Sequence, residues 1–143
     1  MNRRRWKKLS SRLVLAAGFG DLAGVRVLLR SKLHPDTADA EGTTPLYAAS
    51  VHGSTAAVRR LLAAGASPDL ESGHGTEGTP LCAAASWGHT ETVRELLAHG
   101  ADPNLREGHG TGWSPLDWAE HGSHMETAAL LRAAGARPRE GTP

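Results

Sequence analysis

The side chains best suited to chemistry in this chain are eight histidines, one cysteine and a glycine-rich segment. Gly73-His74-Gly75-Thr76-Glu77-Gly78 has the spacing with which glycines let a backbone approach a pyrophosphate at a helix N-terminus. That chemistry needs a buried strand ahead of the segment and alternating strands and helices around it. Here the segment follows a loop, and its counterpart 35 residues on, Gly108-His109-Gly110-Thr111-Gly112, loses the spacing. It therefore reads as a hairpin tip. The histidines suggest metal binding, since His74 and His109 are equivalent in position, as are His89 and His124. Packed helices stand about 8–10 Å apart, whereas each imidazole must reach a zinc at about 2.0–2.1 Å. Further ligands would have to converge, and no spacing supplies them. Cys82 has small apolar neighbours and reads as a buried, inert thiol. Asp117 and His121 lie one helical turn apart, which suits a surface hydrogen bond better than half of a catalytic triad. The expectation is no catalytic residue, no metal, no cofactor and no small-molecule substrate.

The elements that carry these residues emerge from self-comparison. Thr44-Pro45-Leu46, Thr79-Pro80-Leu81 and Ser114-Pro115-Leu116 recur every 35 residues, as do Gly65, Gly100 and Gly135. An offset of 33 takes Val58, Leu61 and Leu62 back onto Val25, Leu28 and Leu29, and Pro68-Asp69 onto Pro35-Asp36. Four repeats result, at about 10–36, 43–69, 78–104 and 113–138. In each, Thr or Ser suits an N-cap and Pro suits the first helical position, whose N–H is unpaired in any case. Small residues follow, Ala48-Ala49 and Ala83-Ala84-Ala85, until Gly53 or Gly88 ends a short first helix. A second helix carries Val58, Leu61 and Leu62, or Val93, Leu96 and Leu97, at helical spacing, and ends at Gly65 or Gly100. Pro68 or Pro103 then leads into an extended connection.

These residues resemble the ankyrin repeats, whose pattern runs through Thr-Pro-Leu-His, paired alanines, Gly-His, a Val with a Leu-Leu pair, and Gly-Ala-Asp-Pro-Asn. The third copy matches best, with Thr79-Pro80-Leu81, Gly88-His89, Val93, Leu96-Leu97 and Gly100-Ala101-Asp102-Pro103-Asn104. The resemblance implies an all-α solenoid of four helix-turn-helix repeats joined by hairpin-like loops, over residues 10–138. A basic arm (1–9) precedes it and a short tail (139–143) follows. The family's His after Thr-Pro-Leu is replaced by Val14, Tyr47, Cys82 and Asp117. Repeat one has Arg12 where others have Pro, with Ser10 and Ser11 as candidate caps. Repeat four has Glu120 and Arg132 at inter-repeat positions, which suits a terminal face with no neighbour.

The resemblance also implies a function, binding of a protein partner in the concave groove formed by the ends of the first helices and the loop tips. Aligned repeats place Phe19, His52, Trp87 and Gly122 in one column and Thr43, Gly78 and Trp113 in another. By that likeness Phe19, Val51, His52, Trp87, Trp113 and His121 line the groove, with Glu41, His74, Thr76, His109 and Thr111 at its rim. Trp is the residue type most enriched at interface hot spots. The alternative for Trp87 and Trp113 is packing over their own hairpins, as expected for Trp118.

Charge is uneven. The formal net charge is only +1, yet the first twelve residues hold six bases (Arg3, Arg4, Arg5, Lys7, Lys8, Arg12) and no acid, leaving an acidic remainder. The arm has two readings: a contact for nucleic acid or anionic membrane, or a solvated terminus that keeps the first repeat soluble. It also imitates a signal peptide, with Leu13 to Ala17 as the apolar stretch, but the repeats claim those residues for a helix. No run reaches the ~18 apolar residues of a membrane span. A single cysteine rules out an intramolecular disulfide and suits a reducing compartment. The expectation is a monomeric cytoplasmic protein of adaptor, inhibitor or accessory type.

Overall fold

The computed structural model describes residues 2–139. Its first helix pair is α1 (Arg3–Phe19) and α2 (Leu22–Arg30), its second α3 (Pro45–Val51) and α4 (Thr55–Ala63), and its third α5 (Pro80–Ser86) and α6 (Thr90–Ala98). After a single turn, α7 (Glu107–Gly110), come α8 (Pro115–His121) and α9 (Met125–Ala133). The caps follow from residue type. Thr44, Thr79 and Ser114 hydroxyls accept from the N–H groups of Tyr47 (3.3 Å), Cys82 (3.2 Å) and Asp117 (3.1 Å), and each cap is followed by proline as the first helical residue.

Helices α1, α3, α5 and α8 pack side by side in one layer, and α2, α4, α6 and α9 in a second. Between the layers lie Leu13, Leu46, Leu81 and Leu116 from the first helices and Val25, Val58, Val93, Leu61, Leu96 and Leu131 from the second, all but sealed from solvent. Each such side chain contributes about 1.5–3 kcal/mol. Ala49, Ala84 and Ala119 are buried at equivalent positions, where a larger side chain would separate the helices.

Polar ladders lock adjacent repeats in register. The side chain that opens each later second helix reaches back to the carbonyl oxygen near the end of the previous first helix: Ser54 Oγ to Gly18 (3.0 Å), His89 Nε2 to Val51 (3.0 Å) and His124 Nε2 to Ser86 (3.0 Å). A second ladder has Asp36, Asp69 and Asn104 side-chain oxygens accepting from the N–H groups of Ser67 (3.0 Å), Asp102 (3.0 Å) and Arg137 (2.9 Å). The connections double back as expected: Ser72 N–H donates to Gly78 O (2.8 Å) and Glu107 N–H to Trp113 O (3.1 Å). Ser72 and Gly78 form an antiparallel bridge. The segment from Gly73 to Gly78 is therefore a hairpin tip.

The first repeat departs from expectation at its start. Helix α1 begins at Arg3, where the Asn2 side chain accepts from Arg4 N–H (2.9 Å). Ser10 is no cap; it is buried within the helix, its hydroxyl donating to Lys7 O (2.9 Å). The reason is local: with Arg12 in place of proline nothing interrupts the helix, and Arg and Lys favour it. The basic arm is thus a helical extension of the first repeat. Of the expected tail, residues 140–143 lie outside the described residues.

Candidate functional site

The fourth repeat's hairpin is fixed by an aromatic cluster. Trp113, just ahead of the Ser114 cap, stands 4.7 Å from Trp118 and 5.0 Å from His121 between ring centroids, the second contact edge-on. Trp118 and His121 meet edge-on at 6.4 Å. Both come from α8, where they lie three residues apart and so share a face. The Trp118 indole N–H donates to Glu107 Oε2 (3.0 Å), tying the helix to the hairpin. Beside it Arg106 Nη1 meets Asp117 Oδ2 (3.3 Å) and donates to Gly112 O (3.2 Å), while Asp117 Oδ2 also accepts from Ser114 N–H (2.9 Å).

Asp117 therefore turns to Ser114 and Arg106 rather than to His121. It completes a capping box, a use of the position where the family pattern has His. The other replacements act differently. Val14 is core, and the Cys82 thiol makes long contacts to Leu105 O (3.9 Å) and Trp113 O (3.8 Å) and also meets Glu107. Burial pushes the Cys82 pKa far up, which keeps the thiol un-ionised. Tyr47 is raised by burial and by the charges of Glu77 and Glu107. Glu107 is itself raised, mainly because it is half-buried, against the lowering effect of the Trp118 bond.

The expected groove residues fall into two groups. Phe19, His52 and Trp87 stand at the ends of α1, α3 and α5, and all three are exposed, Phe19 at 85% and Trp87 at 64%. Trp87 is packed in no ring pair among the described residues. Trp113 and His121 belong to the aromatic cluster, so Trp113 does pack over its own hairpin while keeping part of its surface exposed. Val51 is half-buried, its carbonyl taken by His89. Phe19 lies at the outer end of the row.

Glu41, His74, Thr76, His109 and Thr111 form the second group on the loop tips, all exposed. The Thr76 and Thr111 hydroxyls are used inside the tips, donating to Gly73 O and Gly108 O. Each loop histidine covers the glycine of the preceding tip: a Cβ at Gly42 would lie 2.7 Å from His74 Nε2, and one at Gly75 3.1 Å from His109 Nε2. A concavity of about 670 Å³ opens among these connections, lined by His74, His109, Glu71, Leu70 and Leu105 but by none of the helix-end group. There Glu71 Oε1 accepts from His109 N–H (3.1 Å), while Oε2 is shielded and has no partner among the described residues.

Sequence reasoning missed Glu107, Leu70 and Leu105, together with the exposed Leu15 and Val27 of the first repeat. Glu107 acts chiefly through a contact with Trp118 that the hairpin creates. Leu15 left a signal, because its counterparts Ala48 and Ala83 are small. Among the described residues no group of three or more His, Cys, Asp or Glu stands close enough to hold a metal ion, and no helix is long and apolar enough to cross a membrane.

Comparison with known proteins supports this architecture independently. A family model described as ankyrin repeats in three copies matches residues 69–140, and a single ankyrin repeat model matches residues 41–72. No curated protein matches the chain. The matched segments contain the capped α3, α5 and α8 and the later rungs of both inter-repeat ladders, and α1 and α2 extend the same two layers. The chain belongs to the ankyrin-repeat family.

Proposed function

We propose that this protein is a non-enzymatic interaction module that binds a partner protein across the helix ends and loop tips, as an adaptor, inhibitor or accessory subunit. Ankyrin repeats are in general protein-interaction modules. The observation that carries the reading here is the pairing of an exposed Trp87 with a fixed Trp113–Trp118–His121 cluster on the next repeat. Aromatic surface already held in place loses little entropy on binding, which is how hot spots reach ≥ ~2 kcal/mol on truncation. The partner is a folded protein or peptide, met by a monomer in the cytoplasm.

The test is quantitative affinity capture from cells of the source organism, comparing the parent with Trp87→Ala and Trp113→Ala, each checked for folding by circular dichroism. Trp87→Ala is expected to keep the parent's melting temperature and lose the partner. Trp113→Ala is expected to lose the partner and to melt lower, because it also removes the hairpin's packing. Equal capture by the parent and Trp87→Ala would move the binding surface elsewhere.

A further inference from the structure

We propose that the open end of the first repeat is a second docking surface, which takes an acidic amphipathic helix of a partner protein. Arg5, Lys8, Arg12, Leu15 and Phe19 follow one another along α1 at steps of three and four residues, so they form one stripe on this 17-residue helix, about 25 Å long. The stripe is basic in its first half and apolar in its second. Leu15 is 58% exposed and Val27, across from it on α2, 64%. Arg5, Lys8 and Arg12 form no ion pair with any described residue.

The repeat geometry identifies what such a surface is shaped to receive. In the second repeat the counterparts of Leu15 and Phe19 are Ala48 and His52, which lie against Gly18 of the repeat before: a Cβ there would stand 3.7 Å from Ala48 Cβ and 3.4 Å from His52 Cδ2. Leu15 and Phe19 thus occupy the face that Ala48 and His52 of the second repeat turn to the helix before them. Between α1 and α2 this face is hollowed to about 630 Å³ over Ala16 and Ala23, with Leu15, Phe19 and Val27 beside them. A groove of that form seats the ridge of a helix. A flat lipid surface does not fill it. A second copy docked face to face would set one basic row against another. The complementary occupant carries Asp or Glu alongside its apolar ridge. The one acid at the groove, Asp21, is occupied in capping Gly24 N–H (3.0 Å).

The probe is a displayed library of helical peptides selected against the whole protein, with affinities measured by fluorescence anisotropy. Enriched peptides are expected to be acidic with an apolar ridge. Their binding should fall at least about tenfold in Leu15→Asp/Val27→Asp, fall similarly in Arg5→Glu/Lys8→Glu/Arg12→Glu and weaken as salt is raised. It should persist in Trp87→Ala, so loss of the helix-end site and loss of this one are told apart. All the substituted side chains are exposed, and circular dichroism confirms the fold of each variant. The proposal fails if the enriched peptides are neutral or basic, or bind the Leu15/Val27 variant as well as the parent. It also fails if the Leu15/Val27 variant loses binding to vesicles of phosphatidylserine and phosphatidylcholine, or loses self-association in sedimentation, while no acidic helix is enriched.

Discussion

Glu107 shows how one side chain joins local chemistry to the whole hairpin. Its carboxylate is half-buried and accepts from the Trp118 indole; burial and the charge of Glu71 raise its pKa, while the bonds from Trp118 and Cys82 lower it, and the net shift is upward from 4.5. Between 4.5 and the raised value the folded chain holds a proton that the unfolded chain has lost. Stability contributed by this group is therefore fully present below the ordinary value and is lost as pH rises through the folded one. Glu107→Gln keeps an acceptor for Trp118 and removes the charge. It is expected to flatten the pH dependence of the melting temperature over that window and to leave the protein at least as stable near neutrality, as thermal melts across pH would show. A pH profile unchanged by the substitution would assign the dependence to another group.

At the scale of the elements, the joint between repeats rests on a glycine meeting the next repeat's histidine. Gly53 (φ 65°) and Gly88 (φ 70°) end the first helices of repeats two and three, and a Cβ there would come within 2.6 Å of His89 Nδ1 and 2.5 Å of His124 Nδ1. The counterpart in repeat four is Ser123, also left-handed at φ 57°. This position thus accepts a side chain in the left-handed conformation. Gly88→Ser therefore imposes left-handed strain, worth about 1–2 kcal/mol, together with displacement of His124 and loss of its bond to Ser86. Ser123→Gly is expected to be neutral or slightly stabilising, since it relieves the same backbone strain. Denaturant unfolding of the two variants measures the difference, and equal effects would mean the histidine does not set the joint. The breaker role of these glycines was legible in the sequence. The second constraint was not, because it lies between residues more than a repeat apart.

For the whole molecule, stability is a sum of repeats and the interfaces between them, with no central core to fall back on. Leu96, fully buried in α6, touches the middle of that stack. Leu96→Asp places an unpaired charge there and is expected to cost at least about 3 kcal/mol, abolishing the parent's cooperative thermal transition in circular dichroism. A transition near the parent's would contradict the core assignment. The ends are less alike than the middle. At the C-terminal end the two charges at inter-repeat positions pair with each other, Arg132 Nη2 to Glu120 Oε1 at 2.6 Å. The N-terminal end instead leaves Leu15, Phe19 and Val27 uncovered beside its bases.

What the sequence determined by itself is the repeat: its period, its caps and breakers, and which Leu, Val and Ala face inward. Those features depend on local backbone chemistry and on helical periodicity, both of which act within a few residues and recur in each copy. Only the tertiary structure decided that Trp113 joins Trp118 and His121 across its own hairpin while Trp87 stays open, and that Leu15 and Val27 are left exposed. Each of these depends on which side chains the hairpins and the packing of helix on helix bring together. Such contacts are made across turns and between helices, and helical periodicity alone does not encode them.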